Sequence, residues 1–167
     1  MSEQPIILLV EDSENDRVLI SAALEQAGMV HSLQTACDGE QAIHYLGGIG
    51  EFSDRNRYPM PMLVMLDLNL PKKGGFEVLR WIARQPNVSY SVVVISTSNA
   101  PQDVVKAYDL GARSFLVKPG SLQELVELVF PLQRYLRHPV DSLLLQTPSI
   151  QLQNVPPALG SSPARLG

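Results

Sequence analysis

The chain has 167 residues, 45% of them hydrophobic and 18% charged, with a formal net charge of −4, the make-up of one ordinary globular domain, or one domain and a tail. That charge speaks against nucleic-acid binding through a broad basic surface, and Cys37, the only cysteine, excludes an internal disulfide and a cysteine-based zinc cluster. The apolar stretch at residues 6–10 lacks a basic leader and runs straight into Glu11-Asp12, so no secretory leader or membrane span is expected there and the protein is read as cytoplasmic.

In chain order, Ile6-Ile7-Leu8-Leu9-Val10 is an apolar strand pattern ending on the acids Glu11 and Asp12. A first helix is expected from Asn15 to Ala27, with Val18, Ala22 and Ala23 on one side and Gly28 as its stop. A weaker strand follows near Leu33–Ala36, then an Asp38-Gly39 turn and a second helix through Gln41–Leu46. The stretch from Gly47 to Pro61 has turn composition and is long for a helix-to-strand connection, so it is read as a surface loop. Leu63-Val64-Met65-Leu66 is a third strand that stops on Asp67, and Phe76, Leu79 and Ile82 stand at helical spacing beyond Gly74-Gly75.

A fourth strand, Val92–Ile95, delivers the hydroxyls Ser96, Thr97 and Ser98. Asn99 is expected to cap a fourth helix with Pro101 in its first turn and Gly111 at its end. Phe115-Leu116-Val117 is the fifth strand, ending on Lys118-Pro119. Ser121 and Glu124 form a capping-box pattern for a fifth helix carrying Leu122, Leu125 and Val129, which Pro131 should stop or kink near Phe130. Cys37 is read as a small buried filler, His31, His44 and His138 as surface residues, and Trp81 is left between core and partner contact. The expected domain covers residues 5–137. Residues 138–167 form a proline-rich extension, disordered from about Asn154, whose Leu143-Leu144-Leu145 run suggests a dimerisation arm.

Alternation of apolar runs with helical patterns is the sequence form of βαβ units and a mainly parallel α/β sheet. If the strands lie side by side, Glu11, Asp12, Asp67, Ser96 and Lys118 converge at their carboxyl ends, where open α/β sheets bind ligands. Taken singly, Asp67 could merely cap a turn and Glu11-Asp12 merely open a helix. Two carboxylates ~4 Å apart repel by about 4 kcal/mol at an effective dielectric of ~20, and a divalent cation resolves that conflict. Hard oxygen donors without histidine or thiol favour Mg²⁺, with the Asn69 backbone carbonyl as a further ligand. Aspartate can accept a phosphoryl group, a transfer that depends on alignment and charge neutralisation. Mg²⁺ and Lys118 supply the charge, and Ser96 can donate to the remaining phosphoryl oxygen.

Val10-Glu11-Asp12, Asp38-Gly39-Glu40-Gln41-Ala42, Leu66-Asp67-Leu68-Asn69-Leu70-Pro71 with Gly75, Ile95-Ser96-Thr97, and Gly111-Ala112 through Phe115 to Lys118-Pro119, in that order, resemble the receiver domains of two-component response regulators. The resemblance implies a flavodoxin-like, doubly wound five-stranded sheet of order 2-1-3-4-5 with five helices. It implies phosphorylation of Asp67 by a histidine kinase, Mg²⁺ (or Mn²⁺) held by Glu11, Asp12 and Asp67, Lys118 on the phosphoryl group, a cis Lys118–Pro119 bond, and Ser96 and Phe115 as a hydroxyl–aromatic switch pair. Serine at 96, phenylalanine at 115 and glutamate before Asp12 depart slightly from the commoner residues. The long loop before Pro59 and Leu70-Pro71-Lys72-Lys73-Gly74-Gly75 resemble the single-domain regulators of bacterial phytochrome sensor kinases.

The expected function is therefore a non-enzymatic signalling module whose surface around the fourth helix, fifth strand and fifth helix shifts on phosphorylation, with no DNA-binding output domain and no nucleic-acid or membrane partner. A phosphorelay intermediate or phosphate sink is the alternative. A Mg²⁺-dependent aspartyl-phosphate phosphatase fits poorly, because position 69 is Asn where such an enzyme needs a second acid. A homodimer is expected through Val129, Leu132 and Leu136 and the Leu143–Leu145 run.

Overall fold

The computed structural model describes residues 4–29 and 32–137. The readings made for His31, His138 and the 138–167 extension lie outside the described residues. Within them, β1 (Ile6–Val10), β2 (Ser32–Ala36), β3 (Leu63–Leu66), β4 (Ser91–Ser96) and β5 (Ser114–Val117) form one parallel sheet in the order β2-β1-β3-β4-β5. Six α-helices accompany it: α1 (Glu14–Gln26), α2 (Gly39–Gly47), α3 (Gly75–Ala83), α4 (Pro101–Asp109), α5 (Leu122–Val129) and α6 (Leu132–Arg137). Five helices were expected. The sixth arises because Pro131 cannot continue the hydrogen-bond ladder of α5, yet the apolar pattern resumes beyond it.

The strands other than the edge strand β2 are mainly apolar because both of their faces are covered. Leu8, Val10, Val64, Leu66, Val92 and Val94 point into a core shared with α2, α3 and α4. Their alternates Ile7, Leu9, Leu63, Met65, Val93 and Ile95 pack against α1, α5 and α6. A period of two along a strand thus feeds two cores, the mark of a buried parallel sheet. None of the described helices is long and apolar enough to cross a membrane.

Several local readings need correction. Helix α1 buries Ile20, Ala23 and Leu24 while Val18 is exposed; three consecutive apolar residues, Val18-Leu19-Ile20, do not fix the phase of a helix, and the sheet chose Ile20. Ala100, not Asn99, is the residue before α4, and the local bonds there come from Ser98, whose Oγ accepts from the Ala100 N–H and donates to Asp103. Cys37 is exposed, since β2 is an edge strand whose end leaves the core. Val129, Leu132 and Leu136 are buried in the chain's own core and are not free for a dimer contact, because α6 is tied down through Gln133 to Gly28 O and through Tyr135 to Ser91. Trp81 is half-buried against the α2–α3 side of the core.

The 47–61 stretch is more than a surface loop. Phe52, in a short 3-10 turn (Gly50–Ser53), is buried and packs with Tyr45 and Tyr58 at ring-centroid separations of 5.4 and 4.8 Å. Arg55 donates to the carbonyls of Tyr45 (2.7 Å), Leu46 (3.0 Å) and Tyr58 (3.2 Å), satisfying the open C-terminal end of α2. A small satellite core thereby gives the long connection a fixed shape.

Candidate functional site

The site is assembled by strand register. Val10 pairs with both Ala36 and Leu66, and Ser96 pairs with Val117. The next backbone bonds, Glu11 N–H to Ala36 O and Asp67 N–H to Val10 O (both 3.0 Å) and Lys118 N–H to Ser96 O (2.8 Å), carry the ladder one residue past the strand ends. Residues 11, 67 and 118 therefore leave the sheet at the same height. Carboxylate oxygens of Glu11, Asp12 and Asp67 lie within 4.8 Å of one another, Asp12 exposed and the other two buried.

The Lys118 ammonium bridges this group. It donates to Glu11 Oε2 in a short ion pair, to Asp67 Oδ2 at 3.1 Å and to Asp16 Oδ2 at 2.9 Å. Burial alone would lower the Lys118 pKa, but the bonds to Glu11, Asp16 and Asp67 hold it well above the ordinary lysine range. Burial pushes the Glu11 carboxyl up to about 7 against the pull of Lys118 and the Ser13 N–H. One ammonium is shared among three acids, so the pocket keeps an excess of negative charge in little water. Asp16, on the first turn of α1, was not expected here. The hint in the sequence was an acid in the first turn of the helix that opens directly after Glu11-Asp12.

Neighbouring backbone is fixed tightly around these side chains. Ser13 caps α1 by accepting from the Asp16 N–H (3.2 Å), while Arg17 donates to the carbonyls of Glu11 (2.8 Å) and Asp12 (3.1 Å). The Asn69 N–H donates to Asp67 Oδ1 (3.2 Å). On the far side, Asp38 caps α2 through the Gln41 N–H (2.7 Å) and pairs with Lys72 (3.0 Å). Burial raises its pKa, but those partners outweigh it and hold the carboxyl below the ordinary range.

Ser96 is fully buried, its hydroxyl accepting from the Ser98 N–H (3.2 Å), and Phe115 is buried on the α4 side of the sheet. The Lys118–Pro119 bond, implied to be cis, is trans, as are the other described peptide bonds. The trans form is the one X–Pro bonds favour by about 0.5–1 kcal/mol, and Lys118 reaches its three carboxylates with it. Chemically the donor set is all oxygen: Glu11, Asp12 and Asp67 fit a hard divalent cation, and no imidazole or thiolate joins them among the described residues.

Comparison with known proteins agrees with this arrangement. Residues 7–130 match the response regulator receiver domain family. The response regulator Rcp1 of Synechocystis sp. is 39% identical over 125 residues, covering 74% of this chain and 83% of that one. Its Mn²⁺-bound crystal form superposes with a TM-score of 0.69 at 37% identity over 78% of this chain and 93% of that one. The phosphorylated cyanobacterial phytochrome response regulator RcpA gives a TM-score of 0.73 at 36% identity, covering 81% and 95% of the two chains. A response regulator in red light signaling of R. palustris gives 0.73 at 32% identity, covering 78% and 92%. Family match, strand order and the carboxylate–ammonium cluster coincide on the same residues, and the chain belongs to the response regulator receiver family.

Proposed function

We propose that this chain is a single-domain response regulator, with residues 5–137 as the receiver and Asp67 as phosphoacceptor. The observation that carries the reading is the Lys118 ammonium bonded to Asp67 beside the Glu11–Asp12–Asp67 oxygen cluster. An Asp67 carboxylate oxygen attacks the phosphorus of a phosphohistidine. The P–O bond forms as the P–N bond breaks, and the released imidazole takes up a proton. A divalent cation, Mg²⁺ or Mn²⁺, held by Glu11, Asp12, Asp67 and the Asn69 carbonyl, supplies charge neutralisation for the phosphoryl oxygens when bound.

Lys118 pairs with the transferred group, and the Ser96 hydroxyl, which accepts from the Ser98 N–H, turns its own O–H toward a phosphoryl oxygen. That movement, with Phe115 filling the space behind it, is the switch coupling Asp67 to the α4–β5–α5 surface. Such a chain acts only on its own aspartyl phosphate. Its partner is a sensor histidine kinase of phytochrome type, a reading supported by the similarity to RcpA and to the R. palustris regulator, and its setting is the cytoplasm. Homodimerisation through residues 138–167 now rests on the Leu143–Leu145 run alone, and a monomeric mass by light scattering would remove it.

The test is phosphotransfer. Incubation with Mg²⁺ and acetyl phosphate, or with a phosphorylated phytochrome kinase, should add one phosphoryl group to the wild type and none to Asp67→Asn. Labelling that persists in Asp67→Asn, or a wild type that stays unlabelled with every donor, defeats the reading.

A further inference from the structure

A lysine ammonium has three N–H donors, and in this site three carboxylates take all of them. Glu11 and Asp67 are almost wholly enclosed, with side chains 1% and 6% exposed, whereas Asp16 is 36% exposed. A phosphoryl group on Asp67 would bring acceptor oxygens that need at least one of these donors. Esterified, Asp67 is no longer a carboxylate and yields its own share of the ammonium, but a phosphoryl group carries more charge than that carboxylate did and draws on a further donor. Taking it from Glu11 would leave a buried charge uncompensated, whereas Asp16 can replace the ammonium with water, so the Asp16 bond is the one released at least cost.

Resting on the phosphoacceptor reading above, we propose that Asp16 is a positioning residue that holds Lys118 in its resting arrangement and competes with the phosphoryl group for the ammonium. It thereby sets how tightly, and for how long, the site keeps that group. The local geometry suits this role, since the Asp16 backbone N–H is held by the Ser13 cap and its carboxylate reaches across from α1 to the end of β5, 102 residues away. A general effect as a favourable acid at a helix start does not account for the contact, because Glu14 stands in the same first turn and is exposed, while the three Lys118 donors go elsewhere.

The experiment titrates the full chain with beryllium fluoride in saturating Mg²⁺ by calorimetry, and follows the lifetime of acetyl-phosphate-labelled protein. Asp16→Asn and Asp16→Ser should both bind the phosphoryl mimic about two- to five-fold more tightly than wild type, the range set by one partly exposed ion pair, and keep the phosphoryl group longer by a similar factor. Glu14→Gln removes the same charge from the same turn and should match wild type. Unchanged or weaker binding in both Asp16 variants, or an equal gain in Glu14→Gln, overturns the competition. A wild type that binds no better than Asp67→Asn brings down the phosphoacceptor reading, and this inference with it.

Discussion

Helix α3 begins directly behind the proposed phosphoacceptor, and the contact is possible only because residue 75 has no side chain. The Gly75 N–H donates to Leu68 O at 3.0 Å, and a Cβ built at Gly75 would lie 2.3 Å from Asp67 O and 2.6 Å from Leu68 Cα. Ordinary contact starts at 3.4 Å, so Gly75→Ala must open the gap to the carbonyl by about 1 Å. Both obstacles are backbone of the segment carrying the Asp67 carboxylate. Overpacking of this kind costs about 1–3 kcal/mol, and a shift of ~1 Å at a reacting group lowers its rate on the order of 100-fold.

Gly74 supplies the control. A Cβ there meets nothing closer than 3.7 Å, and Gly74→Ala should cost no more than about 1 kcal/mol from a weaker cap. Urea unfolding gives the stability, and Mn²⁺ binding and acetyl-phosphate labelling report the site. Gly75→Ala should lose both stability and labelling, Gly74→Ala little of either. If the two variants behave alike, the close approach of α3 does not position Asp67 and the steric argument is wrong.

Arg55→Ala should cost about 2 kcal/mol, because three carbonyls lose a charged donor, and Arg55→Lys should recover only part of it for want of the planar fork; limited proteolysis within 47–62 reads the loop directly, and wild-type resistance in Arg55→Ala would refute the clamp. The Tyr135 hydroxyl donates to Ser91 Oγ at 2.7 Å with both residues buried, so Tyr135→Phe should lower stability by about 1–2 kcal/mol and speed amide exchange in α6, whereas an unchanged unfolding curve would mean that α6 is held by packing alone. Glu11 has its carboxyl raised from about 4.5 to about 7, so between those values the folded metal-free protein binds more protons than the unfolded chain. Its contribution to stability is full below about pH 4.5 and is lost as pH rises through about 7. A cation needs the ionised form, so Mn²⁺ affinity should climb with pH up to about 7 and then level. A flat affinity from about pH 5.5 to about 8 in calorimetry would show that Lys118 keeps Glu11 ionised throughout.

Much of this protein is legible residue by residue. An apolar run that ends on a charge or a hydroxyl says both that a strand is buried on its two faces and that something is needed where it stops. Applied to Val10, Leu66, Ile95 and Val117, that reading places Glu11, Asp12, Asp67, Ser96 and Lys118 at one sheet edge, because parallel strands joined by helical crossovers must present the same end to the same side. Pro131 breaking a helix and Ser121 opening one are likewise local events, governed by a missing N–H and a nearby hydroxyl.

What required tertiary structure was every choice among near-equal local options. Val18, Leu19 and Ile20 are alike to a helix considered alone, and only docking on the sheet buries Ile20 and exposes Val18. Arg55 is one charged residue among several in a polar loop until the end of α2 and the Tyr45–Phe52–Tyr58 cluster stand around it. Asp16 is the sharpest case. Its partner lies 102 residues away, and a contact between residues so far apart is specified by strand order and register, which no period of 2 or 3.6 records. The sequence thus settled which residues must meet, since periodicity and charge are properties of the chain; distances and burial settled which acid shares the ammonium, since those exist only once five strands lie side by side.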